Sequence, residues 1–145
     1  MKRVIMGMAF CLLLACPKLP EQPEKAYPAE RVYEFSFEEV WATTIKVVGD
    51  EFDYPLSAIE KASGVIHTDF RSEVRSPLYY NQKRSRLSIY VEEIEKGKTI
   101  VKITNHVEVL HEPVGSSPPI WHVISSDGTR ELDVLKRIGE RLLSP

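Results

Sequence analysis

The pattern that most restricts the fold of this chain is a long alternation on either side of Glu95-Lys96-Gly97-Lys98. Before that quartet, Leu87, Ile89 and Val91 alternate with Ser88, Tyr90 and Glu92. After it, the stretch from Ile100 to Leu110 sets Val101, Ile103, Val107 and Val109 against Lys102, Thr104, His106 and Glu108. A period of two belongs to a strand with one buried and one wet face. The glycine supplies the positive φ of a tight turn. The segment is therefore an antiparallel hairpin with one apolar face to cover.

Two helical patterns supply the cover. Ser36 is a helix cap followed by Glu38 and Glu39, where the helix dipole favours acid. Phe37, Val40, Trp41, Thr44, Ile45, Val48 and Phe52 then recur at spacings of three and four, up to Asp53-Tyr54-Pro55. A second helix is predicted from near Asp127, with Leu132, Leu135, Ile138 and Leu142 as its buried stripe. Further strands are predicted over 31–37, 56–60 and 65–70, with a turn at Lys61-Ala62-Ser63-Gly64 and a loop over 71–82. The order is β-α-β-β-β-β-α. The economical fold is α+β, an antiparallel sheet with two helices packed on one face.

The amino end is a different kind of segment. Lys2 and Arg3 precede an apolar stretch from Val4 to Leu14 that ends in Leu13-Leu14-Ala15-Cys16, with Pro17 after it. A basic start, a short apolar run and a small residue before a cut are the parts of a secretory signal. The run is shorter than the roughly 20 residues of a spanning helix. The quartet resembles the lipobox of bacterial lipoproteins. The resemblance implies that residues 1–15 are removed, and that Cys16 is acylated on its thiol and on its new amino terminus. Several acyl chains hold a protein firmly to a membrane where one does not. In that family, aspartate after the cysteine retains the protein in the inner membrane; Pro17 leans the expectation towards the outer membrane.

Residues 16–28 carry Pro17, Pro20, Pro23 and Pro28 among charged side chains. They read as a semi-rigid tether, able to reach roughly 35–40 Å at about 3.1 Å per residue. Residues 29–145 form a single α+β domain. The chain has 2 cysteines, Cys11 and Cys16, so the domain has no thiol for a disulfide, a zinc site or a nucleophile. Without Lys2 and Arg3, the 19 basic residues fall to 17, against 21 acidic. A mildly acidic balance argues against a nucleic-acid partner.

No catalytic constellation stands out. His67, His106, His111 and His122 lack metal-ligand spacing, although His67 and His106 could meet across neighbouring strands. Asp50, Glu51 and Asp53 read as a solvated helix end. The stretch from Phe70 to Arg86 is richer. It holds Arg71, Arg75, Lys83, Arg84 and Arg86, with Tyr79 and Tyr80 between them and Glu73 as its one acid. Arginine and tyrosine are enriched at interface hot spots, and the same mixture suits anionic lipid. It also suits a loop whose tyrosines lie back on the sheet. Trp121 reads as a second exposed anchor or as a plug at the core edge.

The unit FSFEEVW, followed by YPLSAIEKASGVIHTDF, is similar to the helix-grip modules of BamC-like lipoproteins, accessory subunits of the machinery that inserts β-barrels into the outer membrane. Those proteins usually carry two such modules behind a long unstructured segment; here one follows a short tether. The resemblance implies a non-enzymatic adaptor on the periplasmic side of the outer membrane. It would have no metal or cofactor beyond the lipid on Cys16, and a protein partner in the cell envelope. Its contact residues would be Arg71, Arg75, Tyr79, Tyr80, Arg84 and Arg86. The alternative is a carrier of a lipid or small apolar ligand in a cleft between sheet and helix.

Overall fold

The computed structural model describes residues 28–73, 82–111 and 118–144. The signal, Cys16 and most of the tether lie outside the described residues, as do Arg75, Tyr79 and Tyr80. The described chain is α+β, with a 7-stranded antiparallel sheet and two helices. The strands are β1 (Ala29–Tyr33), β2 (Leu56–Glu60), β3 (Val65–Thr68), β4 (Arg71–Glu73), β5 (Lys83–Glu95), β6 (Lys98–His111) and β7 (Ile120–Ile124). The helices are α1 (Phe37–Lys46) and α2 (Thr129–Leu143). The main sheet order is β1-β6-β5-β3-β2; β4 pairs with β5, and β7 pairs with β6.

The alternation of the hairpin is realised as expected. In β5, Ser85, Leu87, Ile89 and Val91 are buried while Arg86, Ser88 and Tyr90 are exposed; in β6, Thr99, Val101, Ile103, Asn105 and Val107 are buried. This buried face shares one core cluster with Val40 and Trp41 of α1 and with Val134, Leu135 and Ile138 of α2. Ser36 caps α1 in a full capping box, its hydroxyl accepting from the Glu39 backbone while the Glu39 carboxylate accepts from Ser36. Tyr33 binds β1 to α2 by donating its hydroxyl to the Leu135 carbonyl at 2.6 Å. Burial pushes that phenol's pKa well above its ordinary value.

The strand order differs from the expected one by two additions. β4 falls in the stretch read as a loop, and its Arg-Ser-Glu sequence has no apolar alternation to reveal it. It is held in line because the Thr68 hydroxyl accepts the Leu87 N–H at 2.8 Å, filling the ladder between β3 and β4. β7 follows Pro118-Pro119, and its run Ile-Trp-His-Val-Ile is apolar on both faces, so period two is invisible in it. The first helix also ends earlier as an α-helix, at Lys46, and widens into a π-type turn over Val47–Glu51.

Two expectations about the helices need correction. Leu132 is 60% exposed, and Val134 takes the buried place instead. Glu51 is not a solvated helix end. Its carboxylate accepts from Arg141 Nε at 2.6 Å and from Arg137 Nε, joining the turn after α1 to α2. The Arg137 hydrogen bond holds the Glu51 carboxyl below its ordinary pKa of 4.5, burial opposes this, and Arg141 adds to it.

A depressed carboxylate stabilises the folded state fully above its unfolded pKa and loses that contribution as pH falls through the folded value. Glu51→Gln should therefore lower stability at neutral pH by roughly 0.5–1 kcal/mol, the scale of a partly exposed ion pair. It should also flatten the acid limb below about pH 4.5. Urea unfolding of both proteins at neutral pH and below pH 4 checks this; parallel curves would remove the assignment.

Candidate functional site

Directly opposed residues of an antiparallel pair point to the same side of the sheet. That rule divides the basic stretch. Arg71 faces Ser85, whose side is buried, and its guanidinium lies 5.6 Å from the centre of the Tyr54 ring. Arg84 faces Glu108, and Arg86 faces His106, both on the open side. The three described arginines therefore do not form one surface. Arg71 belongs to the helix-bearing side, while Arg84 and Arg86 belong to the other.

On the open side the structure assembles a cluster from four parts of the chain: the segment between β3 and β4, then β5, β6 and β7. Arg84 lies between two rings, 4.2 Å from the centre of Phe70 and 4.0 Å from the centre of Trp121. Its Nε and Nη2 donate to Glu108 Oε2 at 2.7 and 2.6 Å. The other carboxylate oxygen of Glu108 accepts from His106 Nε2 at 3.1 Å. Burial pushes the Glu108 carboxyl up, but the hydrogen bonds from Arg84 and His106 outweigh it, so the net shift is downward and the group is ionised at neutral pH. Phe70 also stands 4.9 Å from the Arg86 guanidinium and 5.9 Å from the His106 ring.

These contacts give the two arginines different roles. Arg84 is committed to Glu108 and to two aromatic faces, each cation–π contact contributing about 0.5–1 kcal/mol where exposed. Its removal would disturb β5, β6 and β7 together. Arg86 is exposed and has no carboxylate partner among the described residues. It is the cation available for recognition, set beside half-buried Phe70. Trp121 is neither a free anchor nor a core plug; it packs on Arg84 on the open face.

His67 and His106, which the sequence left free to meet across neighbouring strands, do not. β5 lies between their strands; His67 Nδ1 contacts Ser88 Oγ at 3.2 Å, while His106 contacts Glu108. The histidines that do meet are His111 and His122, with ring centres 5.0 Å apart in an edge-on contact. Among the described residues no group of three metal-ligating side chains comes together, and no helix is long and apolar enough to cross a membrane.

Sequence reading missed Phe70, His106, Glu108 and Trp121 as parts of one site. The available signal was the alternation of Arg84, Arg86, His106 and Glu108 on the polar side of the hairpin. The strand register needed to put Trp121 there leaves no local trace. No family model matches the chain, and no curated protein matches it.

Proposed function

We propose that this chain is a lipoprotein, anchored through acylated Cys16, whose domain is a non-enzymatic binding or assembly adaptor on the periplasmic face of the outer membrane. The observation that carries the adaptor reading is Arg86, exposed beside Phe70 on the open sheet face and without a carboxylate partner among the described residues. A helix-grip arrangement belongs to the same reading, because helices gathered on one side leave the other side of the sheet for a partner. Arginine and aromatic anchors dominate interface energetics, and a cation that already rests on a ring loses less freedom on docking. A partner presenting a carboxylate beside an apolar side chain would pair with Arg86 and cover Phe70. Arg71 is left out of this surface by its position on the helix-bearing side. Arg75, Tyr79 and Tyr80 stay in the proposal as residues of the adjoining stretch.

Arg86→Glu tests the reading with little risk to the fold, since an exposed residue away from special features shifts stability by about 0.5 kcal/mol or less. Crosslinking of the lipidated protein in membranes should show partner recovery falling by roughly tenfold, the effect of losing a modest hot spot. The urea midpoint should stay in place. Equal recovery of every crosslinked partner would defeat the adaptor reading.

The carrier reading draws on one feature. A groove of about 370 Å³ runs between β1 and α2, lined in part by Val32, Phe35, Gly139 and Leu143. It is open at the side of the domain and is not lined by Trp41 or Leu135, which lie in the packed core. A copurified apolar ligand that protects Leu143 from labelling would favour the carrier.

A further inference from the structure

Strand β7 lies at the outer edge of the sheet. β5 runs along one side of β6 as far as Val109, so β7 takes the other side, in line with β1. Among the described residues no strand pairs with its outer edge. Such an edge presents unpaired N–H and C=O groups, a template for another strand, and proteins blunt it with charge, proline or a bulge. The other outer strands carry such guards. β1 has Glu30 and Arg31, β4 has Arg71 and Glu73, and β2 has Glu60 together with a register shift between Leu56 and Ala58. β7 reads Ile-Trp-His-Val-Ile, without lysine, arginine, carboxylate or proline, and its register on β6 is unbroken.

This unguarded strand is also apolar on both of its faces. Ile120 and Ile124, 55% and 39% exposed, belong to the helix-bearing side, and Val123, 52% exposed, belongs to the open side. Helix α2 adds to the patch. Gly139 lies against Tyr33, and Leu143 lines the groove beside Val32, so this flank of the helix overlooks the β1 and β7 side of the sheet. Leu132 stands on the same flank, two turns before Gly139 and three before Leu143. It is 60% exposed.

The strand itself shows what fits beside it. It offers no charge for an ionic partner to answer, and its residue classes read the same from either end: apolar, apolar, His, apolar, apolar. From this symmetry we infer that β7 pairs with β7 of a second copy, antiparallel about a two-fold axis through His122. Opposed residues share a face of the sheet, which restricts the register to steps of two. The register centred on His122 is the one that pairs all five residues. Ile120 then opposes Ile124 of the second copy, and Trp121 opposes Val123. Both contacts are apolar, and the symmetry repeats each of them. Five paired residues are fewer than the roughly 20–30 a side of a standard stable complex, so the dimer is reversible. The inference does not rest on the adaptor reading, whose contact residues Arg86 and Phe70 are not on β7.

The test uses the full chain in the membranes of cells that express it. His122→Cys places a thiol on the two-fold axis, opposite its own copy. Opposed Cα atoms of an antiparallel pair lie about 4.5–5.5 Å apart, within disulfide range. Mild oxidation should therefore give a dimer. The unsubstituted chain should not, and neither should Ile59→Cys, at an exposed position on β2. Adding Ile120→Lys and Ile124→Lys to His122→Cys should cut the dimer yield by roughly tenfold, because like charges then face each other twice. Ile120→Glu with Ile124→Glu should do the same. Co-expressed, the two charged chains should regain the dimer, which also shows that both fold. No dimer from His122→Cys, a crosslink to another protein in its place, equal dimer from Ile59→Cys, or no recovery in the mixture would overturn the inference.

Discussion

Gly64→Ala is expected to destabilise the domain by about 3 kcal/mol or more, a large part of the 5–15 kcal/mol that holds a typical domain folded. Gly64 ends the turn Lys61–Ser63 at φ +69°, a left-handed conformation that side chains adopt at a cost. Its backbone is also pressed against β5. The Gly64 carbonyl accepts the Val91 N–H at 2.8 Å, and a Cβ added at Gly64 would stand 2.0 Å from the Val91 carbonyl oxygen. No rotamer relieves that clash, because both sides are backbone. β3 would have to move off β5, taking Ile66 out of the core with it.

Gly97→Ala is the natural control. Gly97 has φ +75° but nothing within 4 Å of an added Cβ, so only the conformational cost of about 1–2 kcal/mol applies. Urea unfolding of both variants separates the terms; equal losses would mean that the close approach to Val91 has no weight.

Cys16→Ser is expected to have the largest effect on location. If Cys16 bears the lipid, each buried methylene contributes about 0.8 kcal/mol to membrane attachment, and several chains together bind essentially without release. The contacts left after their loss are weak by comparison, about 1 kcal/mol for each basic residue near an anionic surface, on a domain with more acidic than basic residues. The variant should move from the membrane pellet to the soluble fraction and should no longer take up labelled fatty acid. Retention in the pellet, with labelling lost, would place the anchor elsewhere in the chain.

Much of the fold was legible because its signals are local. The alternation from Leu87 to Leu110 needs no knowledge of partners, and neither does the capping box at Ser36 followed by an apolar stripe. The short strands were not legible for an equally physical reason. Arg71 to Glu73 becomes a strand only because β5 offers a ladder edge and Thr68 bridges the gap beside it. Ile120 to Ile124 becomes one only because the upper half of β6 is open to it. The same limit applied to the α2 stripe. Leu132 and Val134 are both plausible by spacing, and the rotation of the helix on the sheet decides between them.

The candidate site was legible as a list of residue types and not as a surface. Reading along the chain brought Arg71, Arg84 and Arg86 together because they are close in sequence. In the sheet, a strand's side chains alternate between faces, so pairing register determines which side each one joins. Arg71 opposite Ser85 goes to the buried side, and Arg84 opposite Glu108 goes to the open side.

By itself, then, the sequence determined the α+β class, the hairpin, the two amphipathic helices, and a domain with no cysteine to staple it, since each follows from periodicity or composition within a short window. Only the tertiary structure decided that Arg84 is locked between Phe70 and Trp121 while Arg86 has no carboxylate partner among the described residues, and that Asn105 is buried with an oxygen that none of the described residues pairs. Those outcomes depend on register and burial, which arise between segments far apart in the chain and leave no period in any one of them.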